Sequence, residues 1–370
     1  MGFDDRFAYV SGRIWAIENR MIDRARFNRM IDAGSPEELV RILSETEYGQ
    51  GREIIPERYE EIIDEELKRI HQFIAEFSPD PELTGVLRAK HDFHNMKVHL
   101  KSRLVKRDLG NEVREGLGLS SVGLIDPDRI GEYADIIMLE YYPPDGEDDS
   151  GEHDDEVVVS GDPAEKDEAG AALENAIVDA GRKAVEAYLR HGRDPQHIDF
   201  VMDRASYDYF YNVAISRRAR ELEEIVAAMA DLANIKICMR LRAIGKDADF
   251  ARDVLLPHGT LDAGALLEAY EKPDADFVAH FKATPYAALV EKGMNAWLAS
   301  GSLVVLENLA TAELEMKMVP ERGAAIGYET VLAYLAAREV EADKLRRIFV
   351  GKMNRIPPDV IRERLSGAYA

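Results

Sequence analysis

The chain has 370 residues, 46% apolar and 32% charged, enough for a real interior and for long helices with solvated faces, and too many for one ordinary core. A formal net charge of −23 excludes a duplex-binding protein, which needs surplus Lys and Arg to displace counterions from phosphates, so no nucleic acid is expected as a partner. Cys238 is the single cysteine, which fits a reducing compartment; no eighteen apolar residues run without a charge, and the charged start Met-Gly-Phe-Asp-Asp-Arg holds no signal-peptide core.

In chain order, helix-like apolar spacing runs over 7–33 (Tyr9, Ile14, Ile17, Met21, Ile22, Ile31). Gly34-Ser35-Pro36-Glu37-Glu38 stops it and starts another helix, with Ser35 as N-cap, Pro36 in the first turn and Glu38 closing a capping box. Further helices are expected over 57–78, 82–107, 170–191, 207–243, 262–271, 274–283, 285–317 and 327–349. Alternating strand-like runs are scarce, so the fold class is all-α. Residues 108–128, rich in Gly, Ser and Pro, read as a connection. Residues 143–169 open on Pro143-Pro144 and hold twelve acids against Lys166, nearly half the net charge; self-repulsion predicts an extended, disordered insertion.

Internal repetition carries the most information. Leu39, Leu43, Thr46 and Tyr48 share their spacing with Phe277, Phe281, Thr284 and Tyr286. Independently, His91-Asp92-Phe93-His94-Asn95-Met96-Lys97, continuing to Lys101, matches Ala230-Asp231-Leu232-Ala233-Asn234-Ile235-Lys236, continuing to Arg240. Each leads through a Gly-containing loop to a similar helix start, Leu124-Ile125-Asp126 and Thr260-Leu261-Asp262. A degraded third copy is expected near the C-terminus, with Glu339 in the acid position, Ala342 in place of the asparagine and Lys344 in the basic position.

At about 100° per residue, acid and asparagine share one helix face beside an apolar stripe, which predicts hydrogen bonding between helices inside each repeat. The bases point away from them and form a ridge: Lys97, Lys101, Lys236, Arg240, Lys344 and Arg346 are expected to face partner proteins with acidic surfaces. No chemistry is evident. Gly245-Lys246 and Gly351-Lys352 lack the following Ser or Thr of a P-loop, and Gly116-Leu117-Gly118 fails the dinucleotide fingerprint. His91 and His94 lie one turn apart with no third metal ligand at standard spacing, and the acidic run imitates an EF-hand loop with its glycine one place late. No catalytic residue, cofactor or metal is expected.

The order and spacing of Tyr9-Val10-Ser11-Gly12-Arg13, Leu39…Leu43…Thr46…Tyr48, Asp92-Phe93-His94-Asn95-Met96-Lys97, Asn234-Ile235-Lys236 and Gly327-Tyr328-Glu329 through Tyr334…Arg338-Glu339…Glu341…Leu345-Arg346 resemble the C subunit of the archaeal and bacterial V/A-type ATP synthases, a relative of the vacuolar ATPase d subunit. The likeness covers nearly the whole chain; the insertion at 143–169 departs from it. The resemblance implies a funnel of three similar helical units around a pseudo-threefold axis with a central hollow, here 1–123, 124–260 (with the insertion) and 261–370. It implies a cytoplasmic, non-catalytic central-stalk adaptor, one copy per complex, between the rotor shaft subunits and the membrane proteolipid ring during ATP-linked proton or sodium transport. It would be peripheral to the membrane through the ring and not inserted. The rival reading is a helical scaffold for a soluble regulatory partner, which predicts many repeats of 30–45 residues rather than a few distant copies.

Overall fold

A computed structural model describes residues 5–49, 55–109, 118–143, 168–318 and 326–365. Among them there is no strand, and no helix long and apolar enough to cross a membrane. The disorder expected at 143–169 concerns a segment lying almost wholly outside the described residues.

In the first 85 residues, α1 (Ala8–Ile17), α2 (Arg24–Asp32), α3 (Pro36–Ser44), α4 (Tyr59–Phe77) and α5 (Pro81–Gly85) follow one another. The apolar run over 7–33 is not one helix, because Met21 is extended (ψ 153°) and Asp23 starts α2 afresh by capping the Arg26 N–H at 2.7 Å. Ser35 does cap α3, accepting from Glu38 N at 3.3 Å, while the Glu38 carboxylate reaches back to the Gly34 N–H at 2.8 Å.

Then come α6 (Ala89–Leu109), α7 (Pro127–Tyr141), α8 (Glu168–Arg190) and α9 (Gln196–Arg217). The helix expected over 207–243 is broken where Arg218 turns left-handed (φ 55°) and Ala219 N–H closes onto Ala214 O at 2.8 Å, ending α9 before α10 (Arg220–Ala243). Periodicity is blind to such a stop, since the apolar phase resumes beyond it. After α11 (Ala248–Val254), α12 (Ala263–Tyr270) and α13 (Asp274–His280), the helix expected over 285–317 divides at left-handed Gly301 into α14 (Ala287–Ser300) and α15 (Val304–Met318). The chain ends in α16 (Tyr328–Met353) and α17 (Pro358–Leu365).

The chain packs as two compact units, one of Met1–Thr84 with Tyr211–Ala370, the other of Gly85–Phe210. The first unit holds a core from α10 to α15 (among others Ile235, Met239, Phe277, Phe281, Val290 and Leu306). In the same unit α16 lies against α1, α2, α3 and α4, with Phe349 stacked on Tyr59 at 4.7 Å, so elements from both ends of the chain share one packing. In the second unit α6 packs on α7 and α8 through the fully buried Met96, Leu100 and Ile137.

Candidate functional site

Three buried carboxylates organise the molecule. Asp92 on α6 accepts the N–H groups of Leu124 and Ile125 at 2.9 and 3.0 Å. Asp231 on α10 accepts the Leu261 N–H at 2.9 Å and the Thr260 hydroxyl at 2.5 Å. Glu341 on α16 accepts the Ile22 N–H at 2.6 Å. Ile125, Leu261 and Ile22 each directly precede the aspartate that caps the next helix: Asp126 for α7, Asp262 for α12, Asp23 for α2. The acid therefore fixes where a second helix begins relative to the first, by satisfying backbone donors that would be costly to bury unpaired.

This corrects the expected third copy. The acid is Glu341 and not Glu339, two residues further on, and the loop that it grips lies at the opposite end of the chain. Glu339 instead approaches His71, at 3.9 Å. With the register moved, Lys344 takes the asparagine position and Arg346 takes that of Lys97 and Lys236. The asparagines close the loops: Asn95 exchanges two hydrogen bonds with the backbone of Ser120 (2.8 and 2.9 Å), and Asn234 exchanges two with Leu256 (2.8 and 3.0 Å). The polar edge thus binds helix to loop, not helix to helix.

The close approach dictates glycine. A Cβ at Gly123 would stand 2.1 Å from Asp92 Oδ1, and one at Gly259 2.4 Å from Asp231 Oδ1. Where the acid is glutamate, one methylene longer, the corresponding position is Arg20, which already carries a Cβ.

Two tyrosines complete two of the clamps. Tyr286 donates to Asp231 at 3.1 Å and Tyr48 to Glu341 at 3.0 Å, and their Thr284 and Thr46 hydroxyls hold equivalent turns. The matched spacings of the two segments flagged this pair without revealing their target. Eleven positions beyond each acid, a cation holds carbonyls of the second helix or its C-terminal end: Arg103 donates to Gly131 O (3.0 Å), Arg242 to Lys272 O (2.9 Å), Lys352 to Ala33 O (2.7 Å). Burial lowers the Lys352 pKa. The sequence alone did not single out this position.

Electrostatics differ among the clamps. Burial pushes the Asp92 carboxyl up to about 6, against the pull of the Leu124 and Ile125 N–H groups and of Arg88. Burial likewise raises the Glu341 carboxyl, opposed first by Arg338, which bonds Glu341 at 2.7 Å and Glu66 at 2.8 Å. Burial raises the Cys238 thiol to about 12, leaving it protonated. Among the described residues no group of three His, Cys, Asp or Glu is placed to hold a metal ion. His91 contacts the Ser120 hydroxyl at 2.9 Å and His94 the Gly118 carbonyl at 2.8 Å.

The expected basic ridge is largely engaged within the chain. Lys97 pairs with Asp203 at 2.6 Å and Lys101 with Asp199 at 2.5 Å, both on α9. Arg346 pairs with Asp64 at 2.6 Å and Glu60 at 3.2 Å on α4, and Lys344 lies 3.8 Å from Glu315. Lys236 is largely buried, which lowers its pKa, with Glu307 of α15 its compensating charge. Arg240 bonds the same Glu307 at 2.8 Å and keeps 63% of its side chain exposed, the most of the ridge residues in these ion pairs.

The sequence profile of the family described as ATP synthase (C/AC39) subunit matches residues 10–135 and 166–364, leaving out most of the acidic insertion. The chain is 24% identical to the C subunit of the V-type sodium ATPase of Enterococcus hirae over 353 residues, 95% of either chain. It is also 24% identical to the C subunit of the A-type ATP synthase of Methanocaldococcus jannaschii over 380 residues, covering 97% of this chain and 86% of that one. The corresponding A-type ATP synthase subunit of Methanothermobacter thermautotrophicus is 22% identical over 372 residues, with 97% and 88% covered.

Proposed function

We propose, from the premise that this chain belongs to the ATP synthase (C/AC39) subunit family, that it is the non-catalytic central-stalk adaptor of a V/A-type rotary ATPase. In this reading it joins the rotor shaft subunits to the membrane proteolipid ring on the cytoplasmic face, one copy per complex, and turns with both. The observation that carries the proposal is the threefold recurrence of the carboxylate clamp, at Asp92, Asp231 and Glu341. A coupler must transmit torque between two contact surfaces without yielding, and a fully bonded buried polar group fixes one arrangement of the helices around it. The three copies are taken to surround a pseudo-threefold axis with a central hollow. Their limits follow the clamps: α6 to α9, α10 to α15, and α16 with α2 to α4.

Of the six ridge cations, Arg240 is the one proposed to meet an acidic partner, exchanging Glu307 for a carboxylate of the shaft or ring. The other five serve mainly to brace neighbouring helices. The test is a detergent pull-down from the native host with this protein as bait, read by mass spectrometry. Recovery of a proteolipid together with shaft subunits is the expected result. Recovery of soluble partners without any ATPase subunit overturns the adaptor reading.

A further inference from the structure

Each helix that carries a clamp acid is braced by a neighbouring helix, and in two copies the brace is a pair of acids spaced four apart. Asp199 and Asp203 of α9 pair with Lys101 and Lys97, and Glu60 and Asp64 of α4 both bond Arg346. In α9 the earlier acid meets the base nine positions beyond the clamp acid, and the later one meets the base five beyond. On α15 the earlier acid is Glu307, which bonds Arg240 at 2.8 Å. Four residues on, where the later acid belongs, stands Thr311, whose hydroxyl donates to the Glu307 carbonyl at 2.9 Å. Two cations therefore share one carboxylate. Lys236 is largely buried, and the charges acting on it are Glu307, which favours its proton, and Arg240, which opposes it. Water solvates the exposed Arg240 but reaches the buried ammonium poorly, so the deficit falls on Lys236. One turn beyond Arg240, Ile244 ends α10 with 63% of its surface exposed, a level that only Met316 exceeds among the large apolar side chains of the described residues.

Resting on the adaptor reading above, we propose that Arg240 and Ile244 form a docking surface for a partner helix presenting a carboxylate one turn from an apolar side chain. The partner's carboxylate takes Arg240 and leaves Glu307 to Lys236. One added negative charge thus restores the balance of two acids to two bases that α6 and α9 keep within the chain. The partner's apolar residue covers Ile244, and burial of that side chain supplies the hydrophobic part of the contact. The corresponding positions of the other copies hold Lys101, which has its own acid, and Val350, so the surface belongs to the second copy alone. An anionic bilayer fits less well. Electrostatic binding to lipid takes a cluster of about 4–8 basic residues, whereas the excess here is a single charge on a chain of net charge −23.

The test is retention of ATPase subunits on the tagged full chain, extracted from the native host in mild detergent and washed at about 0.1 M and about 1 M salt. Ile244→Ser is expected to lower the subunits retained per bait about fivefold or more at both, the worth of one buried apolar side chain. Thr311→Asp supplies the missing acid from within the chain, and is expected to lower retention several-fold at the lower salt and not at the higher. Thr311→Asn, alike in size but uncharged, is expected to retain the wild-type yield. Wild-type yields from both Ile244→Ser and Thr311→Asp overturn the proposal, as does an equal loss from Thr311→Asn and Thr311→Asp. A wild-type chain that retains no ATPase subunit at either salt overturns the adaptor reading itself, and this surface with it. Binding of the purified chain to phosphatidylserine vesicles that Ile244→Ser abolishes assigns the surface to lipid and overturns the protein partner. If Thr311→Asp does not fold, the Ile244→Ser result decides alone.

Discussion

The Asp92 clamp and the Glu341 clamp solve one geometric problem with different electrostatic partners, burial raising both carboxyls. At Asp92 the carboxylate is held by two loop N–H groups, with Arg88 close enough to be felt. At Glu341 the carboxylate has a backbone N–H, a tyrosine hydroxyl and a buried guanidinium at 2.7 Å. The lesson is that the repeat keeps where the second helix starts, while each copy settles separately how to hold a buried charge. Replacing Glu341 by Gln should give the largest loss, about 3–5 kcal/mol by chemical denaturation, because Arg338 would stay buried with one carboxylate instead of two. Asp231→Asn should cost less, about 1–3 kcal/mol, having hydroxyl and amide partners and no buried cation to strand. Equal losses would break the comparison.

The glycines sharpen it next. Gly123→Ala and Gly259→Ala should each cost about 2–3 kcal/mol, since the added methyl meets a carboxylate oxygen already committed to backbone donors. Arg20→Ala, at the same place in the third copy, should stay within about 0.5 kcal/mol. A severe loss at Arg20 would mean that the longer glutamate does not explain the missing glycine.

Asp92 adds a pH dependence. Its folded pKa of about 6 lies above the ordinary aspartate value of 3.8, so the folded state holds the proton more tightly than the unfolded one. Its contribution is fully present below pH 3.8 and is lost as pH rises through about 6, a change of about 3 kcal/mol in all. Asp92→Asn should remove that slope from urea midpoints measured between pH 4.5 and 7. A slope unchanged in the variant would assign the pH dependence to other groups.

Much of this was legible in the sequence, and the reasons for the misses are physical. The helical class, the Ser35 cap and two of the three acids follow from local patterns, because caps and amphipathic faces are local. The third acid was misplaced by two residues because its loop partner, Ile22, lies 319 residues away, and no local spacing carries that contact. The left-handed stops at Arg218 and Gly301 are single-residue backbone events inside unbroken apolar phases. The ridge cations were recognised as a repeated set but not as ion-paired, since their carboxylates stand on other helices: Asp199, Asp203, Glu307 and Asp64.

The smallest effects concern that ridge, where stability and assembly should separate. Lys97 keeps 17% of its side chain exposed beside Asp203, so Lys97→Glu sets two carboxylates together in a partly desolvated place and should cost about 1 kcal/mol. Arg240→Glu meets Glu307 in open solvent, with 63% and 44% of the two side chains exposed, and should cost no more than about 0.5 kcal/mol. If Arg240 meets an acidic partner, the same change should weaken assembly onto shaft and ring, strongly at low salt and less near 1 M, where the screening length falls to about 3 Å. Lys97→Glu should change assembly only in proportion to its stability loss. An Arg240→Glu protein that assembles as well as the wild type at both salt concentrations would remove the partner role and leave the whole ridge as internal bracing.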